Sequence, residues 1–198
     1  ANLSPFYYVR RQALAFGLGL VLAIVIISLD YRTWKPWSRL IYLATILLLG
    51  TVLIFGHAVF GSQRWVRLGP LSLQPSELAK ITLVLALAKL FEKEENGQSV
   101  KGVVQAALLT LIPMALIIVQ PDLGTAVIFV GLFFTMWYVG NARLKTLLIA
   151  GLVLVVVAAG LIVASLNGWL SIIKPYQLTR LLVFLNPYAD RDLSLLHI

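Results

Sequence analysis

Long apolar runs alternate along this chain with short polar stretches. Five runs of about 17–20 residues are nearly free of charge, and each approaches the length that crosses about 30 Å of hydrocarbon. A sixth, shorter run carries a lysine near each end, where the ammonium groups can reach the lipid headgroups. The pattern predicts an all-α polytopic integral membrane protein with six transmembrane helices, at residues 12–29, 40–56, 78–91, 102–119, 123–139 and 146–165.

The polar stretches between these runs predict the loops. Residues 30–39, which are rich in basic and aromatic side chains, predict an interfacial loop, and residues 92–101 predict a solvated loop. The segment 60–77 partly alternates apolar with polar residues and turns at Gly69-Pro70. The tail from residue 166 is predicted to lie along the membrane, with a short interfacial helix at 176–185. No linker divides the chain, so we expect a single membrane domain over residues 1–198.

Composition supports the membrane assignment. The chain is 60% hydrophobic and 12% charged, whereas soluble domains carry about 25% charged residues. It contains no cysteine, which excludes disulfides and thiolate chemistry. The first apolar run is too long for a signal peptide and lacks a small-residue cleavage site. Since the sequence opens with Ala1 rather than Met, we expect that a preceding segment is absent.

The net charge of +8 reflects membrane topology and predicts no nucleic-acid partner, because the basic residues are scattered through short loops. Short-loop Lys and Arg accumulate on the cytoplasmic side of a membrane protein. With the N-terminus outside, one side would hold Arg32, Lys35, Arg39, Lys93, Lys101, Arg143 and Lys145, and the other Arg10, Arg11, Arg64 and Arg67. The larger set predicts the cytoplasmic side, which leaves the segments described next on the outer side.

Two Gln-Pro steps lead acidic residues to the edge of apolar runs, as QPSELAK at 74–80 and QPDLGTA at 120–126. Both could simply start helices, because proline favours the first helical position and an acid in the first turn is stabilised by the helix dipole. Glu77 and Lys80 are three residues apart and can pair. However, charges next to hydrocarbon are costly and usually face a cavity or a functional pathway. Glu77, Lys80 and Asp122 could therefore line one polar cavity.

The segment GSQRWVRLGP places Arg64 and Arg67 around Trp65. It could be an interfacial anchor, or it could bind an anionic headgroup, since guanidinium matches diphosphate geometry through paired hydrogen bonds. Three basic residues of the tail could add positive charge around such a headgroup, namely Lys174, Arg180 and Arg191. Neither His57 nor His197 has a ligand partner in view, so no role is assigned to them.

Three segments together resemble one known family. They are GSQRWVRLGPLSLQPSELAK at 61–80, QPDLGTAVIF at 120–129 and YQLTRLLVFLNP at 176–187. Their order and spacing resemble the SEDS family of bacterial shape, elongation, division and sporulation proteins. The Gln of GSQRW and the Tyr-Gln of YQLTR are more similar to the rod-shape branch of the family than to its division branch.

The resemblance implies a fold of about ten helices in the bacterial cytoplasmic membrane. It also implies a peptidoglycan glycosyltransferase that polymerises lipid II, a disaccharide-pentapeptide on undecaprenyl diphosphate, beside a class B penicillin-binding protein. By matching motifs, Trp65, Glu77, Lys80 and Asp122 correspond to the family's functionally important polar set, with Glu77 and Lys80 as its cavity ion pair. Substrate contacts are expected from Arg64, Trp65, Arg67 and Arg180. Surrounding membrane lipids are the remaining partners.

The chain departs from the family at both ends. The family's first helix has no counterpart before residue 1, and the final LSLLHI does not match the Gly-rich stretch and further helices with which members continue. We therefore expect the second to seventh helices of the family fold. The aspartate usually proposed as the catalytic base lies in the later part, so Asp122 is not its counterpart. The 198 residues are expected to be inactive alone.

Glycosyl transfer needs a base for the acceptor hydroxyl and a stabiliser for the departing diphosphate. Lys80, Arg64 and Arg67 could stabilise the departing diphosphate, or a divalent cation held by carboxylates could do so. That cation is the one possible cofactor.

Two other functions are compatible with the sequence. The chain could belong to a transporter of lipid-linked precursors, or to a membrane scaffold for a penicillin-binding protein in which the buried charges only fix helix register.

Overall fold

A computed structural model describes residues 5–55, 57–59, 62–68 and 71–167. The side chains of Arg64 and Arg67 and the whole tail from residue 168 are outside the described part. The predicted interfacial helix at 176–185 and the basic residues of the tail therefore stay predictions.

Helices dominate the fold, which confirms the predicted class of polytopic helical protein. Six long helices correspond one to one with the six predicted apolar runs, and a seventh, short helix lies in the loop predicted to be solvated. They are α1 (Pro5–Ser28), α2 (Tyr31–Phe55), α3 (Pro75–Phe91), α4 (Glu94–Gln98), α5 (Val100–Val119), α6 (Leu123–Val139) and α7 (Leu144–Leu166).

The second helix begins earlier than its apolar run, so the prediction of a loop at 30–39 was wrong. Asp30 precedes the helix, and its Oδ1 accepts a hydrogen bond from the Arg32 N–H at 2.9 Å. A side-chain oxygen placed in this way satisfies one of the free N–H groups at a helix start. Basic and aromatic residues therefore form the first turns of α2, with Pro36 inside the helix.

A small sheet follows α2, and the sequence analysis did not predict it. It consists of β1 (His57–Val59), β2 (Ser62–Leu68) and β3 (Leu71–Leu73), paired antiparallel in chain order. Leu68 pairs with Leu71, which fits the predicted turn, although Gly69 and Pro70 lie outside the described residues. The partial alternation of apolar and polar residues was the available signal, because alternation is the pattern of a half-buried strand.

Three helices in the described part are long and apolar enough to cross a membrane by length and composition alone. They are Arg32–Ile54, Val100–Val119 and Leu144–Ser165, and Gln12–Ser28 and Leu123–Val139 are shorter apolar helices. Both α3 and α6 have 17 residues, a rise of about 26 Å, slightly less than the hydrocarbon thickness. The chain is thus a multi-pass membrane protein whose shorter helices lie near the minimum spanning length.

Helix α3 lies at the centre of the bundle and packs against α2, α5 and α6. Leu83 and Leu87 of α3 are fully buried, as are Leu49 of α2, Ile117 of α5 and Phe129 of α6. In contrast, α7 contacts α6, and most of its side chains are exposed. Apolar side chains on α7 are therefore suited to contact lipid rather than the core.

A proline inside α5 is matched by a tyrosine from α2. Pro113 has no N–H, so it leaves the carbonyl of Leu109, four residues earlier, without its helical donor. The Tyr42 hydroxyl donates a hydrogen bond to that carbonyl at 2.7 Å. Both Pro113 and Tyr42 are buried. The contact thus links two helices and satisfies a polar group that has no water to bind.

The contacts also define the two ends of the bundle. At one end, which we call the Gln-Pro end, Gln74 before α3 contacts Asp122 before α6. At the other end, which we call the lysine-rich end, Lys35 of α2 forms an ion pair with Glu92 after α3. Trp137 of α6 also donates to the Gly97 carbonyl there, at 2.8 Å. Both Gln-Pro motifs therefore share one end of the fold.

We expect Gly97→Ala to destabilise the lysine-rich end. A Cβ at position 97 would lie 1.6 Å from the carbonyl oxygen of Gly140, and backbone cannot move aside as a flexible side chain can. Overpacking of this kind costs about 1–3 kcal/mol, measurable as a lower thermal midpoint of the detergent-solubilised protein. Gly151→Ala is the control, because its added Cβ meets no atom within 4 Å. Equal midpoints for the two variants would contradict the close packing of α4 on the end of α6.

Candidate functional site

Asp122 caps helix α6. One carboxylate oxygen accepts the Thr125 N–H at 3.2 Å, and the other accepts the Thr125 hydroxyl at 2.9 Å. The side chain is buried, with 8% of its surface exposed. Asp122 therefore occupies the N-cap position itself, and Pro121 precedes the cap instead of opening the helix as the first-position interpretation predicted.

A hydrogen bond joins the two Gln-Pro motifs. The Gln74 amide donates to Oδ2 of Asp122 at 3.4 Å. This distance is long for a hydrogen bond, but it brings residues 48 positions apart into one cluster. The second motif is also tied to α2, because the Gln120 amide donates to the Leu49 carbonyl at 3.1 Å.

Glu77 and Lys80 form the ion pair expected from their spacing. The Lys80 ammonium lies 2.8 Å from Oε2 of Glu77, with side chains 24% and 58% exposed respectively. Pro75 opens α3, and Glu77 lies in its first turn, where the helix dipole favours an acid. The helix-start interpretation is therefore correct for the first motif. The same geometry presents a lysine, held by a carboxylate, one turn inside the bundle end.

Sequence reasoning emphasised the acids and missed their neutral neighbours. The repeated glutamines were visible in both motifs, and the structure uses both as donors. Thr125 follows Asp122 at the spacing of an N-cap and its third helical residue, a pattern that could have been read from sequence. Ser76 is buried, and its hydroxyl has no hydrogen-bond partner among the described residues. No sequence pattern would have distinguished Ser76 from an ordinary first-turn serine.

The remaining predicted site residues are described less fully. Trp65 lies on β2 and is half-buried. Arg64 and Arg67 are on the same strand, and Arg180 lies outside the described residues. Their binding roles, and the single cavity predicted for the polar set, stay predictions. Within the described ranges, no three His, Asp or Glu side chains come close enough to hold a metal.

The fold and this polar end define a multi-pass helical membrane protein, and comparison with known proteins identifies its family. The family model described as "Cell cycle protein", for FtsW, RodA and SpoVE, matches residues 2–198. The chain therefore belongs to this family, which is the SEDS family it was found to resemble. Stage V sporulation protein E of Bacillus subtilis is 34% identical over 193 residues, 94% of this chain and 50% of that protein.

Other relatives give the same result. The probable peptidoglycan glycosyltransferase FtsW of Coxiella burnetii is 36% identical over 191 residues, 94% of this chain and 49% of that protein. A chain from a peptidoglycan synthase complex aligns with a TM-score of 0.77 and 36% identity, over 94% of this chain and 53% of that chain. The chain thus spans about half the length of the curated relatives that it matches.

A rod-shape protein is also among the solved structures. Thermus thermophilus RodA aligns with a TM-score of 0.65 and 37% identity, over 75% of this chain and 49% of that chain. Relatives from the sporulation, division and rod-shape branches therefore match at similar identity. The assignment to the rod-shape branch stays a prediction.

We expect Asp122→Ala and Asp122→Asn to separate the capping role of this residue from its charge. Loss of the cap in Asp122→Ala should cost about 1 kcal/mol, whereas asparagine caps a helix about as well as aspartate. Hydrogen–deuterium exchange of the first amides of α6 is the local measurement. Exchange should accelerate in the alanine variant and change little in the asparagine variant. Equal acceleration in both would show that the carboxylate charge, rather than the cap, holds this turn.

Proposed function

We propose that this chain is part of a peptidoglycan glycosyltransferase that polymerises lipid II for cell-wall elongation. The observation that carries the proposal is the contact between Gln74 and Asp122, which assembles both family motifs at one end of the bundle. Family membership and relatives named as probable peptidoglycan glycosyltransferases support it. The proposal concerns the whole protein that contains these residues.

The geometry suggests a division of roles within the polar set. Lys80 is the cation best suited to a departing diphosphate, because its partner Glu77 fixes its position and it remains partly accessible. A preorganised cation stabilises charge that develops in the transition state. Arg64 and Arg67 on the neighbouring strand would extend the positive field toward the headgroup. No described residue is assigned as the base that deprotonates the acceptor hydroxyl.

Asp122 is a positioning residue in this proposal. Its carboxylate already accepts two hydrogen bonds from Thr125 and one from Gln74. It is therefore placed to hold the start of α6 against α3 and so to orient the first turn that carries Glu77. These contacts give the carboxylate a structural role at the junction of the two helices.

The orientation in the membrane follows from the same proposal. The surplus of Lys and Arg belongs to the lysine-rich end, and by the positive-inside rule this supports a cytoplasmic position for that end. The Gln-Pro end then faces outward in the bacterial cytoplasmic membrane, where the sugar polymer is made. A class B penicillin-binding protein is the proposed partner, supported by likeness to a synthase complex that coordinates polymerisation and crosslinking.

A scaffold role is the second candidate, and one observation favours it. The hydrogen bonds of Asp122 with Thr125 and Gln74 serve helix capping and helix packing. In a pure scaffold, the buried acid would fix helix register and nothing else. Glu77→Gln and Lys80→Met would then leave function unchanged.

Polymerisation of lipid II by purified protein tests the two candidates. The protein encoded by the complete reading frame that contains this sequence is compared with its Glu77→Gln, Lys80→Met and Asp122→Asn variants. We expect at least tenfold slower polymerisation for Lys80→Met and Glu77→Gln, because the leaving diphosphate loses a positioned cation. Glu94→Gln is the matched control, since Glu94 is exposed on α4 at the opposite end, and it should retain full activity.

Two results would contradict the glycosyltransferase proposal. The first is full polymerisation by all three site variants, which would leave these residues with a structural role only. The second is the absence of polymer from the unsubstituted protein while binding to a penicillin-binding protein is retained, which would favour the scaffold.

A further inference from the structure

A groove of about 750 Å³ opens at the lysine-rich end, away from both Gln-Pro motifs. It lies between α2, α3 and α5 and is bordered by α4. Its volume falls in the range of about 300–1,000 Å³ that is usual for small-molecule sites. Neither the family motifs nor the proposed reaction uses any residue of this groove.

The polar part of the groove is positively charged. Four cations line it, one from each surrounding segment, namely Arg39 of α2, Lys89 of α3, Lys93 before α4 and Lys101 of α5. No Asp or Glu is among the described residues that line it. The positive-inside rule accounts for an excess of basic residues at one membrane face. It does not require them to converge on one concavity.

These cations remain largely available to a ligand. The nearby carboxylate of Glu92 is paired with Lys35, which is not part of the lining. Lys89 donates one hydrogen bond, to the Lys35 carbonyl at 2.9 Å, and an ammonium has three donors. For Lys93 and Lys101, no ion pair is found within the described part of the chain.

The other part of the groove is apolar and extends along membrane-spanning helices. Leu43 of α2 and Leu108 and Ile112 of α5 line it, and all three side chains are exposed. Ile112 is eleven residues beyond Lys101, which corresponds to a rise of about 16 Å along α5. The groove thus joins a cationic rim near the membrane surface to an apolar wall within the hydrocarbon.

We propose that this groove binds an anionic phospholipid. The phosphate and the anionic headgroup would lie among Lys93, Lys101 and Arg39, and an acyl chain would lie on the leucine and isoleucine wall. Basic pockets between transmembrane helices on the cytoplasmic side bind anionic headgroups in this manner. A free phosphate or nucleotide would use the rim and leave the apolar wall uncovered, so a lipid fits the whole groove better. The inference is independent of the proposed polymerisation.

Lipid binding can be measured directly by native mass spectrometry. The complete protein that carries this sequence is titrated in neutral detergent with phosphatidylglycerol and, separately, with phosphatidylcholine of the same acyl chains. The groove variant is Lys93→Gln with Lys101→Gln. Its control is Arg143→Gln with Lys145→Gln, which removes the same charge from exposed residues at the same end but outside the groove.

We expect phosphatidylglycerol to bind in preference to phosphatidylcholine. Its affinity should fall about tenfold in the groove variant and less than twofold in the control. Equal losses in both variants would show unspecific attraction to surface charge and would overturn the proposal. So would displacement of the lipid by an equal concentration of inorganic phosphate, because the site would then take a free anion. Equal affinities of the unsubstituted protein for phosphatidylglycerol and phosphatidylcholine would also overturn the proposal.

A second measurement locates the lipid without removing any cation. These 198 residues contain no cysteine. Leu108→Cys therefore gives them a single labelling site, which lies on the apolar wall of the groove. Leu152→Cys is the control, because Leu152 is the ninth residue of α7 as Leu108 is the ninth of α5, and it is exposed and does not line the groove. A fluorophore at position 108 should be quenched more by spin-labelled phosphatidylglycerol than by spin-labelled phosphatidylcholine, and position 152 should show no such difference. Equal quenching at both positions would contradict a lipid site in the groove.

Discussion

The requirement that polar groups be satisfied inside an apolar bundle shapes the Gln-Pro end of this protein. A buried carboxylate without hydrogen bonds is strongly unfavourable. Asp122 meets the requirement through Thr125 on its own helix and Gln74 from the segment before α3. Because these donors come from two separate motifs, satisfying one side chain also sets the relative placement of α3 and α6. The glutamine of the second motif adds a bond to α2.

The two ends of the bundle have different chemistry although both are charged. At the Gln-Pro end, a buried acid is held by neutral donors, and the lysine is paired with a glutamate of the same helix. At the lysine-rich end, cations from several segments line an open groove. The first arrangement fixes the polar groups against one another through hydrogen bonds and an ion pair. The second leaves positive charge exposed beside an apolar surface and is suited to bind an amphipathic molecule.

The sequence predicted the six long helices because length and apolarity decide that class of element. It did not predict the start of α2, since the apolar run begins later than the helix and the signal lay in the single cap residue Asp30. The short sheet was also missed, because two of its strands have three residues, below the length at which alternation is informative, and the seven-residue strand β2 alternates only in part. For the site, i,i+3 spacing predicted the pairing of Glu77 and Lys80. The contact between Gln74 and Asp122 depends on tertiary packing across 48 residues, which local pattern cannot supply.

The pairing of Tyr42 with Pro113 has an evolutionary consequence. The tyrosine hydroxyl is bonded to the Leu109 carbonyl, which needs an outside donor because Pro113 cannot supply the usual one. A lineage that replaces the proline restores the helical bond and no longer needs the hydroxyl, whereas a lineage that first loses the hydroxyl leaves a carbonyl unsatisfied in apolar surroundings. The two positions should therefore change together among related sequences, and the order of change should favour loss of the proline first. Such a pair would be detectable as covariation between α2 and α5.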